Sequence, residues 1–504
     1  MYFVTMCLSL LTFILVSAYF LKSDAFSLHH PLTFYTAFHG LTFVIRPFLA
    51  YFYDYSMLYY AYGFHPTIDD KITVILASNL GYISFAFFCL RSGSLKLQFK
   101  QDEFAEEEKR RLASSFIWVL AICGPFAVYS AVHLYSYGFE NMVLDRGTGI
   151  SINTTGNGYL TDGQLMLIPL CAIFAWVNRF RLYSLIPLII YIALLGGTGQ
   201  RGPFVAAMAT TGLLFLYEKQ LRFPGIRLIL LLIPIVVLFR VVGDDRGASI
   251  KAYLTLDSRE ISAVAAERQD KGLRPLESMD YANMEFFEYL VYAIPQRTKT
   301  YGYFLDNLQI FTEPIPRKFW TGKPIGEPIK LFDLLDYGYP IGMTRSLPGE
   351  GWYAFGWAGV VIWCGLFGHV LGLFYRKFVE GSQSTMVVAT YMVFVTSLIV
   401  GFRDGVLLTI IRQTAFFLLP IAVWYALAKT LQIPSAGEMR RRAVLKMRRT
   451  FVTNGAEAAQ SAQPLLPGTA ASTVPQTAQV VFVPPAVRRR REALRRMKLE
   501  QGPT

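Results

Sequence analysis

Charge is what this chain has least of: only 16% of its 504 residues are Asp, Glu, Lys or Arg, against about a quarter in an ordinary soluble protein. That shortage excludes a string of separate soluble domains. The marks of metal and nucleotide chemistry are missing too. The histidines, His29, His30, His39, His65, His133 and His369, are scattered, and no His or carboxylate cluster has ligand spacing. No P-loop, GxSxG elbow or CxxC occurs, so the expected chemistry involves no resident metal and no cofactor. The cysteines, Cys7, Cys89, Cys123, Cys171 and Cys364, all lie inside apolar blocks, where they read as packing or lipid-facing residues.

What is present is apolar: 53% of the residues are hydrophobic and 15% aromatic. They gather in blocks of roughly 16 to 22 residues, close to the ~20 that cross a 30 Å hydrocarbon layer as helix. The blocks fall near residues 3–21, 32–53, 72–90, 114–135, 162–178, 182–198, 203–217, 226–242, 351–374, 386–402 and 406–428. The expected fold is therefore an all-α polytopic integral membrane protein with about 11 transmembrane helices. The first block has no cationic leader and no small-residue cleavage site after it, and is read as a retained helix.

Cationic short loops set the expected orientation, because cytoplasmic loops carry the excess of Lys and Arg. Arg376 and Lys377, Lys219 and Arg222, Arg179 and Arg181, and six cations between Arg91 and Ala113 all fall on the side of the C-terminal tail. The intervening loops are poor in cations, which puts the N-terminus outside. Four regions follow: membrane helices over 1–242, a large extracytoplasmic cap loop over 243–350, further membrane helices over 351–433, and a basic tail over 434–504. Residues 243–349 hold 13 Lys or Arg against 15 Asp or Glu. Helices are expected there around Ile250–Arg268 and Tyr281–Tyr292, followed by an irregular Pro-, Gly- and aromatic-rich stretch. The tail carries 13 cations against 4 acids and reads as a disordered cytoplasmic segment held near anionic membrane lipid; it lacks the aromatic and folded support that nucleic-acid binding would need.

Charged residues at the edge of a membrane span are site candidates by default. Arg46 lies in FVIRPFLAYF, Arg201 in GGTGQRGPF, Arg403 and Asp404 in VGFRDGVLL with Arg412 two turns on, and Arg345 and Glu350 in TRSLPGEGW. With the orientation above, all fall on the outer side. Arginines converging there with few acids to neutralise them point to an anionic ligand, since the guanidinium fork matches phosphate oxygens. Plainer readings stand beside this one. Arg46 can snorkel to headgroups, Arg403 and Asp404 can pair across a turn, Arg412 can pair within the bundle, and Glu350 can be a helix-start residue favoured by the dipole.

The segments IPRKFWTGKP at Ile315–Pro324 and SLPGEGWYAFGWAG at Ser346–Gly359 resemble the Wzy-type oligosaccharide repeat unit polymerases of bacterial O-antigen and exopolysaccharide assembly. GTGQRGPF at Gly197–Phe204 and FRDG at Phe402–Gly405 fit the same family, and the similarity spans roughly residues 190–430. The resemblance implies a GT-C-like, metal-independent glycosyltransferase of the bacterial inner membrane. It would move a growing glycan from undecaprenyl pyrophosphate onto a fresh lipid-linked repeat unit at the periplasmic face. Its implied partners are undecaprenyl-pyrophosphate-linked glycans, with a flippase and a chain-length regulator of the same pathway. Glu350 and Asp404, in that order, are the candidate bases; Arg201 and Arg403 come first for the pyrophosphate, supported by Arg345, Arg412 and Arg46. Arg317, Lys318, Trp320 and Lys323 are candidate sugar or phosphate contacts in the loop. The alternatives are a transporter or flippase for the same lipid-linked sugars and an O-antigen ligase. Reporter fusions at Asp270 and Gly455 test the orientation: opposite sides are expected, and the same side would overturn it.

Overall fold

The computed structural model describes residues 1–53, 55, 63–100, 103–137, 160, 162–198, 201–226, 276, 281–315, 319–323, 327–338 and 344–461. Among them every regular element is helical. In chain order these are α1 Tyr2–Lys22, α2 Pro31–His39, a π turn Gly40–Ile45, α3 Arg46–Tyr53, α4 Ile68–Gly93, α5 Glu103–Tyr137, α6 Leu167–Val177, α7 Leu182–Thr198 and α8 Arg201–Glu218. Then follow α9 Asn283–Ala293, α10 Gln309–Thr312, α11 Leu347–Glu380, α12 Thr385–Asp404, α13 Leu407–Thr430 and α14 Ala436–Ser461. Met1–Arg442 forms one compact unit and Ala443–Thr504 another. The tail, expected to be disordered from Pro434, is helical through Ser461.

Six of these helices, α1, α4, α5, α11, α12 and α13, are long and apolar enough to cross a membrane, which makes this an all-helical, multi-pass chain. Among the described residues six helices meet that measure, so the expected count of about eleven is matched in part. Of the other blocks, Gly163–Val177 spans about 22 Å at 1.5 Å per residue, and α7 is an apolar helix of 17 residues. Pro31–Tyr53 is helical but interrupted by its π turn. The block at 226–242 and the expected helix at Ile250–Arg268 lie outside the described residues, whereas the helix expected at Tyr281–Tyr292 is α9.

Sequence explains where the helices begin and end. Thr67 and Asp70 form a reciprocal capping box at the start of α4. Pro31 opens α2, where its missing N–H costs nothing, and the His30 ring accepts from the Leu32 N–H at 3.2 Å. At the far end of α11 the Lys100 ammonium donates to the carbonyls of Val379, Glu380 and Gly381 at 2.8, 2.9 and 2.8 Å, satisfying orphan acceptors of the last turn. The buried Glu108 accepts from the Thr385 N–H at 3.1 Å and so caps α12. Lys109 pairs with Glu218 at 2.5 Å, and Trp176 donates to the same carboxylate at 2.9 Å.

The central pair is α4 against α11. Their backbones touch: a Cβ placed on Gly368 would stand 2.3 Å from the Phe85 carbonyl oxygen, and one on Gly372 would stand 2.4 Å from that of Cys89. Hydroxyls seal the same seam, with Ser84 donating to the Val361 carbonyl at 2.9 Å and Ser92 bonded to His369 Nδ1 at 2.6 Å.

The cap docks on this pair through α9, nearly every residue of which is buried. Gln296 donates to Asp70 at 2.7 Å, Tyr289 to the Leu334 carbonyl at 2.7 Å, and Arg46 pairs with Glu285. Glu288 is buried beside them. Desolvation pushes its carboxyl up to about 8; Lys71 and Arg46 oppose the shift, and Glu285 and Asp70 add to it.

Two outcomes follow. Gly368→Leu forces the backbones apart and should cost at least the about 1–3 kcal/mol of an overpacked core, while Gly212→Leu, with open space around its Cβ position, should be tolerated; thermal unfolding in detergent compares them. Because the folded Glu288 carboxyl titrates above its ordinary 4.5, its stabilising contribution is complete below that value and is lost as pH rises through about 8. The thermal midpoint should fall across that window, and Glu288→Gln should flatten the fall.

Candidate functional site

The segments around Arg345 and Arg403 are joined through the hairpin of α11 and α12, which returns the end of α12 to the start of α11. The Ser346 N–H donates to the Arg403 carbonyl at 3.0 Å, and Asn283 of α9 donates to the same carbonyl and to the Thr344 hydroxyl, both at 2.8 Å. Gly405 makes the approach possible. It ends α12 at φ +74°, and a Cβ there would stand 2.0 Å from the Ser346 carbonyl oxygen.

α11 is not one rod. Phe355 (φ −152°, ψ 24°) and Gly356 (φ 58°, ψ −135°) break it into a short first piece that carries Glu350 and a long second piece. Carbonyls freed at the break need donors, and the cap supplies them: the Gly302 N–H reaches the Tyr353 carbonyl at 2.8 Å and the Tyr303 N–H that of Ala354 at 3.1 Å.

Arg345 sits where these segments converge. Its Nη1 donates to Asp306 Oδ2 at 2.5 Å and to Glu350 Oε2 at 2.9 Å, its Nη2 lies 3.5 Å from Glu327 Oε1, and its guanidinium lies 3.8 Å from the Tyr353 ring centre. Burial works against the charge, but Glu350 and Asp306, then Tyr353 and Glu327, overcome it and hold the pKa well above the usual arginine value. Burial raises the Glu327 carboxyl, with Arg345 opposing and Asp306 adding. Glu350 is fully buried; its Oε1 and the Oδ1 of Asp306 accept no hydrogen bond in the structure.

A second cluster lies beside the first. Asp404 is half-buried, hydrogen-bonded to the Thr409 side chain, and within electrostatic reach of Arg403, Arg412 and Arg345. Arg412 Nε lies 2.9 Å from Asp162 Oδ2. The start of α8, which Arg201 opens, is placed beside the end of α12, where a Cβ on Gly202 would meet Val400 Cγ2 at 3.6 Å. The Arg201 side chain lies outside the described residues, as do Arg317 and Lys318.

Arg345, Glu350, Arg403, Asp404 and Arg412 are thus brought to one end of the bundle, but two expectations change. The arginines are not short of acids: Asp306, Glu327 and Glu350 surround Arg345, Asp162 faces Arg412, and Asp404 is near three guanidiniums. Arg46 neither snorkels nor faces this site; it is buried, paired with Glu285, and donates through Nε to the Leu276 carbonyl at 3.0 Å. Lys323 is turned to Glu313, donating to its carbonyl at 3.0 Å, while Trp320 remains 38% exposed. Asp306 and Glu327 were not singled out from sequence. The first has no motif around it, and the second lies in GKPIGEP, a Pro- and Gly-rich stretch that reads as loop. Among the described residues no group of three or more His, Cys, Asp or Glu side chains is placed to hold a metal ion.

A scan against protein-family models finds no match to the chain, and comparison with curated proteins and with solved structures finds none either.

Proposed function

We propose that this chain is a GT-C-type membrane glycosyltransferase of the bacterial inner membrane, polymerising undecaprenyl-pyrophosphate-linked repeat units beneath its cap. The observation that carries the reading is Asp404: a half-buried carboxylate at a helix end, within reach of Arg403, Arg412 and Arg345, at the end of the bundle where the cap docks. The likeness of GTGQRGPF, SLPGEGWYAFGWAG and FRDG to Wzy-type polymerases supports it.

In this reading the acceptor hydroxyl gives its proton to Asp404 as its oxygen attacks the donor sugar's C1. The bond from C1 to the pyrophosphate oxygen breaks, and the departing charge is met by Arg403 and Arg412, with Arg201 at the start of α8 as a third donor. In this reading Asp404 stands before Glu350 as the base, the reverse of the order expected from sequence. Glu350 is enclosed and clamped on Arg345, which suits it to fixing the first piece of α11 against Asp306 of the cap. Asp404 retains access. A flippase and a chain-length regulator of the same pathway are the partners this reading suggests.

The test is purified protein with a lipid-pyrophosphate-linked repeat unit, in the presence of chelator, read as a ladder of products. Asp404→Asn keeps the shape but removes proton acceptance and should slow polymerisation by about 10²-fold or more. Arg403→Lys and Arg201→Lys keep the charge but lose the fork and should fall steeply while the protein still inserts. Normal ladders from Asp404→Asn would remove the base. Transfer of the lipid-linked sugar across vesicles without a ladder would make the chain a transporter, and single transfer to a different lipid acceptor would make it a ligase.

A further inference from the structure

Large apolar side chains of the cap stand uncovered between Leu308 and Leu331. Phe311 is 75% and Phe319 81% exposed, and Ile315, Trp320, Ile329 and Leu331 are exposed as well. Scattered exposed apolar residues are ordinary on a soluble surface, but so many large ones in so short a stretch form a patch that asks for an occupant.

The charges of the same stretch point the other way. Asp306 and Glu327 turn to Arg345, Lys323 turns to Glu313, and Lys330 pairs with Asp333. Among the described residues, Glu327 and Lys323 turn inward while Phe311 and Phe319 stay outside, the inverse of a loop built for water; the Lys330–Asp333 pair is itself partly exposed.

Its neighbours identify the occupant. Just upstream, Tyr303 lies 5.2 Å from Phe355 and Phe304 4.9 Å from Trp363, ring centre to ring centre, so the chain runs onto the first turns of the long piece of α11. There Phe355, Trp357, Val361 and Ile362 are exposed, the beginning of an apolar face that continues through Leu366 and Val370 along a helix able to cross a membrane. Downstream, α10 packs beside α13, a second such helix. The uncovered side chains thus lie beside two helices able to cross a membrane, and aromatic side chains are favoured where such helices meet the headgroups.

We propose that Phe311, Ile315, Phe319, Trp320, Ile329 and Leu331 form an interfacial surface seated in the membrane leaflet on the cap side. The inference is independent of the proposed reaction. It makes that leaflet part of what holds Asp306 and Glu327 around Arg345, because the chain bearing the two carboxylates is the chain that enters the lipid.

The experiment starts from Cys7→Ser, which removes the exposed cysteine and leaves the four buried ones. Phe311→Cys and Phe319→Cys in that background, and Asp336→Cys as an exposed control, are labelled with an environment-sensitive nitrobenzoxadiazole dye in vesicles of phosphatidylethanolamine and phosphatidylglycerol. The unsubstituted background protein gives the residual labelling. Dyes at 311 and 319 should emit to the blue of the dye at 336, lose at least half their intensity to doxyl-labelled lipid, and resist aqueous iodide. Quenching by iodide without quenching by doxyl lipid would overturn the proposal. Shielding from both quenchers would overturn it equally, in favour of a protein partner or a second copy on the patch. Because the readout is optical, its failure is separate from any failure of the polymerase reading.

Discussion

The backbone contact between α4 and α11 is the constraint from which the rest of the architecture follows. Within a bilayer, apolar side chains gain little by leaving lipid for protein, so helix pairs are held by close packing and by hydrogen bonds that side chains cannot make at ordinary separations. Here Gly368 and Gly372 let α11 lie directly on the carbonyls of Phe85 and Cys89, and Ser84 and Ser92 bond across the gap. With α11 fixed to α4, the position of Arg345 and Glu350 is set at one end and the site for Lys100 at the other.

At the cap end the organising principle changes from packing to satisfaction of polar groups. The break at Phe355–Gly356 frees carbonyls that the cap fills, and the turn at Gly405 brings the Arg403 carbonyl to donors from Ser346 and Asn283. These main-chain bonds hold the charged side chains in register. Arg345 then faces three carboxylates, an arrangement that leaves its guanidinium committed.

How much of this was legible depends on what kind of signal each part leaves. Apolar runs are local, so they mark where α1, α4, α5, α11, α12 and α13 lie, while the helix ends, such as Glu103 of α5 and Glu380 of α11, fall in charged sequence beyond the runs. The meeting of TRSLPGE with FRDG was legible because charges at span ends are few and hairpins return them to the same side. Asp306 and Glu327 were hidden because a carboxylate in a long loop has no period and no neighbour to announce it. Arg46 was misplaced for a related reason: its partner Glu285 is remote in sequence, and from the second helix alone a buried cation and a snorkelling one look alike. The spacing of Gly365, Gly368 and Gly372 stood in plain view, but its meaning lay in the small residues of α4 opposite.

The π turn at Gly40–Ile45 has a consequence for register. Each of its hydrogen bonds spans one residue more than an α-helical bond, so the turn acts as a one-residue insertion into the rod that continues from α2 into α3. In an uninterrupted α-helix one residue corresponds to a rotation of about 100°. Arg46 is the first residue after the turn and points at Glu285 only with that rotation in place. The azimuth of the cap's anchoring cation is thus stored as a winding defect. Winding the same residues as plain α-helix would swing Arg46 off α9 without altering a single charge, whereas deleting one residue of the turn would remove the insertion and leave Arg46 where it is.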